Sequence, residues 1–134
     1  MRPLGIFGGT FDPIHLGHLR TAFELQQTLG LAEVLFLPTG DPPHRSEPLA
    51  DANLRLAMVR AAVADQPGFI VDDREVRRSG VSYSVDTMTE LRAEFPTRPL
   101  CLLLGMDAFL GLPGWLRWQE LFELYQQTPE YQKI

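Results

Sequence analysis

Gly5-Ile6-Phe7-Gly8-Gly9-Thr10-Phe11-Asp12-Pro13-Ile14-His15-Leu16-Gly17-His18-Leu19 holds a short apolar run that ends in two glycines, a turn with a proline, and two histidines that open a helix. Glycines let backbone N–H groups approach an anion closely, and a helix N-terminus adds N–H donors and a positive dipole end. His15 and His18 fall on one face of the first helical turns. The stretch therefore predicts a phosphate-binding turn. A plain strand-to-helix turn is the alternative, although it needs neither both glycines nor both histidines.

Apolar runs alternate with amphipathic stretches along the whole sequence, which is typical of an α/β protein. We predict strands at residues 4–8, 34–37, 69–71 and 100–104, and helices at about 15–29, 51–65 and 84–95. Residues 39–48 are predicted as a loop, and residues 106–124 as a loop with one or two short helices. Continuously apolar strands indicate a parallel sheet covered on both faces. The expected fold is a Rossmann-like, three-layer α/β/α arrangement.

Local patterns add three expectations that concern side chains. The second helix should bury Leu54, Met58, Ala61 and Ala62 on one side. Ser82 or Ser84 should cap the third helix. The mixed-charge run 72–78 is predicted as a solvated connection.

Three polar segments follow the ends of predicted strands: Gly8-Gly9, residues 39–45 and Gly105-Met106-Asp107. Ligands of parallel sheets bind outside the carboxyl ends of the strands. The three segments are therefore expected to converge on one edge of the sheet.

The composition limits the classes of partner. The chain has 134 residues, enough for one domain with a real core, and a formal net charge of −5, which argues against nucleic acid as the main partner. One cysteine, Cys101, excludes an internal disulfide framework and fits a reducing compartment. The longest apolar run is too short to span a bilayer. We expect a cytoplasmic protein without a membrane partner, and a homo-oligomer stays open.

Several motifs together resemble one enzyme family. The run Gly8-Gly9-Thr10-Phe11-Asp12-Pro13-Ile14-His15-Leu16-Gly17-His18 resembles the signature of the nucleotidyltransferase superfamily with the His-x-Gly-His motif. Within that superfamily, four segments resemble bacterial nicotinate-nucleotide adenylyltransferases: Pro42-Pro43-His44-Arg45, Tyr83-Ser84-Val85-Asp86-Thr87, Gly105-Met106-Asp107 and Trp115-Leu116-Arg117-Trp118. The resemblance runs from residue 4 to about residue 124. It implies an enzyme that joins nicotinate mononucleotide to the AMP part of ATP.

The resemblance also implies direct transfer, in which the 5′-phosphate of the mononucleotide attacks the α-phosphorus of ATP and pyrophosphate leaves. His15 and His18 would be catalytic, through alignment and charge neutralisation rather than as nucleophiles. The residues implied in binding ATP and its phosphates are Gly8, Gly9, Thr10, His15, His18, Gly105 and Asp107. Mg²⁺ would enter with the ATP, held by phosphate oxygens and water. No protein ligand is assigned to the metal, and Asp12 is expected to accept hydrogen bonds at the turn.

For nicotinate mononucleotide, the resemblance implies contacts with His44, Arg45, Tyr83, Ser84, Trp115 and Leu116. Trp115 would stack on the pyridinium ring, while Tyr83, Ser84 and the backbone near Leu116 would meet the carboxylate. Bland alternatives stay open: a solvated loop tip for His44 and Arg45, and a helix cap for Asp107. Trp118 is expected in the core.

The resemblance stops near the C-terminus. The family continues with a Ser-Ser/Thr-x-Ile-Arg motif that opens a late helix, and nothing in residues 124–134 matches it. We therefore expect residues 1–124 to form an incomplete, C-terminally shortened nucleotidyltransferase domain, followed by an atypical tail at 125–134. Two alternatives to the leading function remain. One is a phosphopantetheine-type adenylyltransferase, and the other is a nucleotide-binding module with impaired catalysis.

Overall fold

The computed structural model describes residues 2–40, 48–78 and 80–126. Strands and helices alternate along this part of the chain. In order they are β1 (Leu4–Gly9), α1 (Leu16–Leu29), β2 (Glu33–Pro38), α2 (Ala52–Val63), β3 (Phe69–Val71), α3 (Arg74–Arg77), α4 (Ser84–Glu94), β4 (Leu100–Leu103), α5 (Met106–Leu110) and α6 (Trp118–Gln126), with a 3-10 turn at Leu112–Gly114. Within these described ranges, no helix has the length and apolar character needed to cross a membrane.

The sheet is parallel, as predicted, and its strand order is β3-β2-β1-β4. Ile6 of β1 pairs with Leu35 of β2 on one side and with Leu102 of β4 on the other. The first strand of the chain is thus an inner strand of the sheet. Because all four strands run the same way, their carboxyl ends lie at one edge, and the loops that follow them meet there.

Helices cover both faces of the sheet, which confirms the predicted three-layer arrangement. One core cluster joins Leu4, Ile6, Leu35 and Leu37 of the sheet to α4 and α6, through Val85, Met88, Leu91 and Leu121. The other joins Val34, Phe36 and Leu103 to α1 and α2, through Ala22, Val59 and Val63. Trp118 packs against the first cluster, as expected.

Helix α1 ends, and helix α4 begins, with different backbone arrangements. Helix α1 ends at Gly30, whose φ of 65° is in the left-handed region that glycine favours. The predicted capping of α4 by Ser82 or Ser84 was wrong, because the N-cap residue is Tyr83 and its side chain makes no capping hydrogen bond. The backbone carbonyl of Tyr83 instead accepts from the N–H groups of Asp86 and Thr87.

The charged run between β3 and α4 is not the solvated connection that we predicted. It forms the short helix α3, in which Glu75 is buried while Arg77 is exposed. At Gly40, just after β2, an added Cβ would lie 2.7 Å from the carbonyl oxygen of Glu75. Helix α3 therefore packs directly against the carboxyl end of β2, which a pattern of charges alone does not reveal.

The predicted buried face of α2 was also wrong. Leu54 is half exposed, and the buried residues of the helix are Arg55, Leu56, Val59 and Val63. The reason is the guanidinium of Arg55, which is only 1% exposed and rotates the helix so that its own side turns inward.

Arg55 ties together the backbone segments that follow β1 and β2. Its Nε donates to the carbonyl of Ala50, its Nη1 to those of Thr10 and Thr39 at 2.8 and 2.7 Å, and its Nη2 to that of Gly40 at 2.9 Å. These carbonyls lie at the carboxyl edge of the sheet and before α2. A single planar donor group thus fixes the spacing between the two strand ends.

We predict that Arg55→Met destabilises the fold by roughly 3 kcal/mol or more, because it leaves several buried carbonyls without a donor. Chemical denaturation followed by circular dichroism measures this. Arg20→Ala is the matched control, since Arg20 is also helical but 82% exposed. A loss below 1 kcal/mol in Arg55→Met would contradict the role given to Arg55.

Candidate active site

The turn after β1 has an unusual backbone conformation and is hydrogen-bonded to the segment before α2. Phe11 has a φ of 49°, and the Asp12–Pro13 peptide bond is cis. Both carboxylate oxygens of Asp12 accept backbone N–H groups, from Leu49 at 2.7 Å and from Ala50 at 3.0 Å. Asp12 accepts hydrogen bonds, as expected, but its donors belong to the segment before α2 rather than to its own turn.

His15 and His18 cap helix α1 reciprocally. His15 is the N-cap residue, and its Nδ1 accepts from the backbone N–H of Gly17 at 3.0 Å. The Nδ1 of His18 accepts in turn from the backbone N–H of His15 at 3.1 Å. The two imidazole rings stack with their centroids 3.8 Å apart and their planes inclined by 27°. This arrangement is a capping box built from two histidines instead of hydroxyl and carboxylate side chains.

The capping bonds assign the tautomer of both rings. An Nδ1 that accepts a hydrogen bond from a backbone N–H carries no proton, so the neutral imidazole must hold its proton on Nε2. Each ring therefore presents an Nε2–H donor without needing a positive charge. The N–H of Gly17, at the start of helix α1, is occupied by His15. At this turn the donors suited to a phosphate are the imidazoles.

Burial lowers the pKa of His18 below its ordinary value of 6.5, and the neighbouring His15 lowers it further. Packing explains the burial, since the ring of Phe11 meets the His18 ring edge to face with centroids 5.1 Å apart. A lowered pKa means that the folded chain binds this proton less well than the unfolded chain does. The folded state therefore loses stability as the pH falls below about 6.5.

Gly17 is required by the position of His15. A Cβ added at Gly17 would lie 2.9 Å from Cε1 and 3.0 Å from Nδ1 of the His15 imidazole. Any larger residue there would push the ring away from the N–H that it caps. The glycine of the His-x-Gly-His segment thus has a steric reason that the sequence alone does not give.

A cleft of about 420 Å³ lies at the carboxyl edge of the sheet. Its walls come from the β1 turn, the end of β2, helix α3, the start of α4, the end of β4 and the segment around the 3-10 turn. The lining residues are Gly8, Gly9, Thr10, Thr39, Glu75, Ser82, Tyr83, Ser84, Leu102, Leu103, Leu104, Gly105, Ala108, Gly111, Gly114, Trp115 and Leu116.

The cleft brings together most of the residues that the sequence singled out. The β1 turn contributes Gly8, Gly9 and Thr10, and Trp115 with Leu116 comes from the segment after β4, the strand on the other side of β1. Tyr83 and Ser84 stand at the start of α4, and Gly105 lies at the end of β4. His15 and His18 follow the β1 turn in the chain and are not among the described lining residues of the cleft. Their roles, like those of the residues in the cleft, stay predictions.

Three of the predicted site residues are not placed. His44 and Arg45 lie outside the described residues, in the segment 41–47. The backbone of Asp107 belongs to α5, and its side chain is not described. The roles predicted for these three residues rest on the sequence alone.

The structure adds residues that the sequence analysis missed. Arg55 stabilises the two strand ends, and Glu75 and Ser82 line the cleft with Thr39, the first residue of the predicted segment 39–45. Arg55 carried a detectable signal, since it stands four residues before Val59 and eight before Val63 on the buried side of α2. Glu75 lies in a run of charges and Ser82 in a loop, so neither had a periodic pattern to mark it. A search of the described residues finds no group of three or more His, Cys, Asp or Glu side chains arranged to hold a metal ion.

Comparisons with known proteins point to one family. The model of the cytidylyltransferase-like family matches residues 6–133. A curated relative from Aeromonas hydrophila, named a probable nicotinate-nucleotide adenylyltransferase, is 58% identical over 121 residues, which are 90% of this chain and 56% of the relative. A relative of the same name from Methylococcus capsulatus is 51% identical over 133 residues, which are 96% of this chain and 63% of the relative. The chain thus spans less than two thirds of the length of these relatives.

A solved structure shares the fold. The Plasmodium falciparum nicotinic acid mononucleotide adenylyltransferase complexed with NaAD aligns with a TM-score of 0.79 over 96% of this chain and 72% of that chain. The sequence identity is 16%, so this likeness concerns the fold alone.

The tautomers assigned above are directly measurable. We predict that long-range ¹H–¹⁵N NMR spectra at neutral pH show His15 and His18 in the Nε2–H form, with His18 titrating below 6.5. The reason is the backbone donor on each Nδ1 and the burial of the His18 ring. An Nδ1–H form of either ring, or a His18 midpoint above 6.5, would show that the reciprocal cap does not exist in solution.

A second prediction concerns Gly17→Ala. Alanine favours a helix interior by about 0.5–1 kcal/mol over glycine, while loss of a capping bond costs about 1 kcal/mol, so the stability should change little. Affinity for inorganic pyrophosphate should nevertheless fall several-fold, because the His15 ring is displaced. Thermal unfolding and isothermal titration calorimetry measure the two effects, with Thr21→Ala on the exposed side of α1 as the control. Unchanged affinity for pyrophosphate would mean that the His15 ring takes no part in phosphate binding.

Proposed function

The chain belongs to the cytidylyltransferase-like family, and we propose that it transfers the adenylyl group of ATP to nicotinate mononucleotide. The products are nicotinate adenine dinucleotide and pyrophosphate. The curated relatives support this reaction by their name, and the whole proteins are longer than this chain. The observation that carries the proposal is the pair of stacked histidines, with both Nε2–H donors left over from capping, beside a cleft that holds Trp115.

The reaction needs positioning more than covalent chemistry. An oxygen of the mononucleotide's 5′-phosphate attacks the α-phosphorus of ATP, a new P–O bond forms, and the bond to the β-phosphate oxygen breaks. Negative charge develops on the phosphoryl oxygens and then on the departing pyrophosphate. Two neutral Nε2–H donors can hydrogen-bond to these oxygens without first losing a proton. In this proposal His15 and His18 hold the triphosphate, and Mg²⁺ enters as part of the Mg–ATP substrate.

The cleft supports the choice of acceptor. Thr10 and the backbone of Gly8 and Gly9 would bind phosphates at the point of transfer, where the phosphate of the mononucleotide meets the α-phosphate of ATP. Trp115 would stack on the pyridinium ring, whose positive charge suits an electron-rich indole. The backbone near Leu116, with Tyr83 and Ser84 of the same cleft, would receive the nicotinate carboxylate.

The remaining assignments follow the sequence. Gly105 and Asp107 at the end of β4 would contact ATP, and His44 and Arg45 would grip substrate phosphates.

An acceptor panel tests the reaction. Purified protein is incubated with Mg–ATP and nicotinate mononucleotide, nicotinamide mononucleotide or phosphopantetheine, and pyrophosphate release is followed. We expect the fastest release with nicotinate mononucleotide. Release with phosphopantetheine alone would refute the acceptor, and no release with any acceptor despite measurable nucleotide binding would support the binding module.

We predict that His18→Ala lowers turnover by about 10²–10³-fold, the usual effect of removing one transition-state donor. Affinity for nicotinate mononucleotide should change less than threefold, because His18 does not line the cleft. Arg20→Ala is the control, as it lies on the same helix with its side chain 82% exposed. An equal loss of turnover and affinity would mean that His18 acts only by holding the helix start.

A further inference from the structure

Three polar side chains form one part of the cleft that none of the proposed contacts uses. They are Thr39 after β2, Glu75 in α3 and Ser82 before α4, and we call them the polar wall. Ser82 is 4% exposed and Glu75 is 7% exposed, although both line the cleft. Contacts with the surrounding protein therefore fix the orientation of the Ser82 and Glu75 side chains.

Two hydroxyls of the polar wall lack a partner within the described part of the chain. Oγ of Ser82 and Oγ1 of Thr39 are buried and make no hydrogen bond there. Buried hydroxyls are almost always paired in folded proteins, because leaving water without a new partner costs free energy. Both unpaired groups belong to the same cleft. A molecule bound in the cleft is the partner that would satisfy them.

The acidic member of the polar wall is held in place by a relay. Oγ1 of Thr87 donates to Oε2 of Glu75 at 2.8 Å and accepts from Nη1 of Arg78 at 3.1 Å. The contact of Gly40 with the Glu75 carbonyl fixes the backbone of α3 from the other side. Burial raises the pKa of Glu75, although the Thr87 hydrogen bond and Arg78 oppose this effect.

The charge at the polar wall restricts the ligand group that fits it. Glu75 is the only ionisable acid or base among the described lining residues apart from the Tyr83 phenol, so an anionic group is disfavoured beside it. A pyridinium ring would suit the charge but has no N–H or O–H for a carboxylate and no acceptor for the hydroxyls. A pair of sugar hydroxyls both donates and accepts, and matches all three side chains.

The position of the polar wall agrees with this chemistry. The N–H of Thr39 donates to the carbonyl of Gly9 at 3.0 Å, so Thr39 adjoins the phosphate turn. Ser82 directly precedes Tyr83 and Ser84, at the end proposed for the nicotinate carboxylate. In a mononucleotide the ribose is the unit between phosphate and base. The polar wall thus connects to the β1 turn through Thr39 and to Tyr83 and Ser84 through Ser82, as a ribose subsite would.

We propose that the polar wall binds the 2′,3′-diol of the mononucleotide's ribose, with Glu75 accepting from one hydroxyl and Ser82 and Thr39 completing the hydrogen bonds. This subsite rests on the proposed function for its ligand. It gives the cleft selectivity for ribonucleotides over deoxyribonucleotides. It also orients the ligand, because the carboxylate of nicotinate is repelled from Glu75 toward Trp115.

The test is a binding cycle that removes hydroxyls from the ligand and from the protein. Calorimetry compares nicotinate mononucleotide with its 2′-deoxy and 3′-deoxy forms, for the parent chain and for Ser82→Ala, Thr39→Val and Glu75→Gln. The parent should lose roughly tenfold in affinity for at least one deoxy form. In Ser82→Ala and Glu75→Gln this preference should shrink to about twofold or less. Thr89→Ala, which removes a hydroxyl bonded within α4 to Val85, should keep the full preference.

Removing a hydroxyl from the ligand cannot unfold the protein, so the parent measurement decides even if a variant is unstable. Equal affinity of the parent for all three ligands would overturn the proposal. An unaltered ribose preference in every folded variant would overturn it too. So would a Glu75→Gln effect confined to the choice between nicotinate and nicotinamide mononucleotide, because this would place the amide group at Glu75.

A second pair of probes separates this proposal from the proposed function. Ribose 5-phosphate and 2-deoxyribose 5-phosphate carry the sugar and phosphate without a pyridine ring, and NMR titration measures their weak affinities. A preference for ribose 5-phosphate that Ser82→Ala abolishes would support the polar wall even if nicotinate mononucleotide does not bind or react. If neither ligand pair shows a ribose preference, the polar wall is not a diol site.

Discussion

The buried guanidinium of Arg55 is the interaction on which the candidate site depends. It joins the carbonyls of Thr10, Thr39 and Gly40, and so fixes the loops after two adjacent strands at one spacing. Among the described residues its acceptors are backbone carbonyl oxygens, and one of them belongs to Thr10 of the β1 turn. Lysine could not replace it, because a single ammonium cannot reach carbonyls of three separate segments in one plane.

His15 and His18 cap helix α1, and the capping bonds leave each ring with a hydrogen-bond donor. Each ring uses Nδ1 to accept a backbone N–H at the start of α1, and this fixes the proton on Nε2. The capping arrangement therefore produces two neutral donors side by side. Stacking of the rings disfavours two positive charges in contact, and burial beside Phe11 acts in the same direction on His18. The donors are ready before any ligand arrives.

The sequence predicted the layers and the site's location because these follow from periodicity and from strand direction. Apolar runs marked β1 to β4 within one or two residues of their ends, and parallel strands bring their following loops together. Side-chain burial was harder to predict. The inner face of α2 was predicted on the assumption that apolar side chains are buried and charged ones exposed. The buried side chain of Arg55 contradicts this assumption. Glu75 is buried because the Thr87 hydroxyl donates to its carboxylate, and Thr87 lies twelve residues further along the chain.

The role of Ser82 also depends on tertiary contacts. Ser82 looked like a helix cap, since serine before an amphipathic run is a common N-cap. In the fold Tyr83 takes that position and the Ser82 hydroxyl is enclosed at the cleft. The failed prediction of a cap thus identifies a polar group that is free to bind a ligand. The serine that does not cap the helix therefore lies in the proposed binding cleft. Departures from local sequence preference are expected at functional sites.

In this interpretation the two substrates occupy two parts of the site: the cleft from the β1 turn to Trp115 takes the mononucleotide, and the histidine pair takes the triphosphate. Chemical-shift mapping of the isotope-labelled chain, titrated with nicotinate mononucleotide and separately with Mg–ATP, is the sharpest test. We expect nicotinate mononucleotide to shift the Gly9 and Thr10 amides and the Trp115 indole N–H with one dissociation constant, and Mg–ATP to shift the imidazole nitrogens of His15 and His18. A groove lined by Arg2, Glu94, Phe95 and Arg98 lies near the amino ends of the strands. Mononucleotide shifts confined to that groove, or separate constants for Thr10 and Trp115, would show that the cleft is not one mononucleotide site.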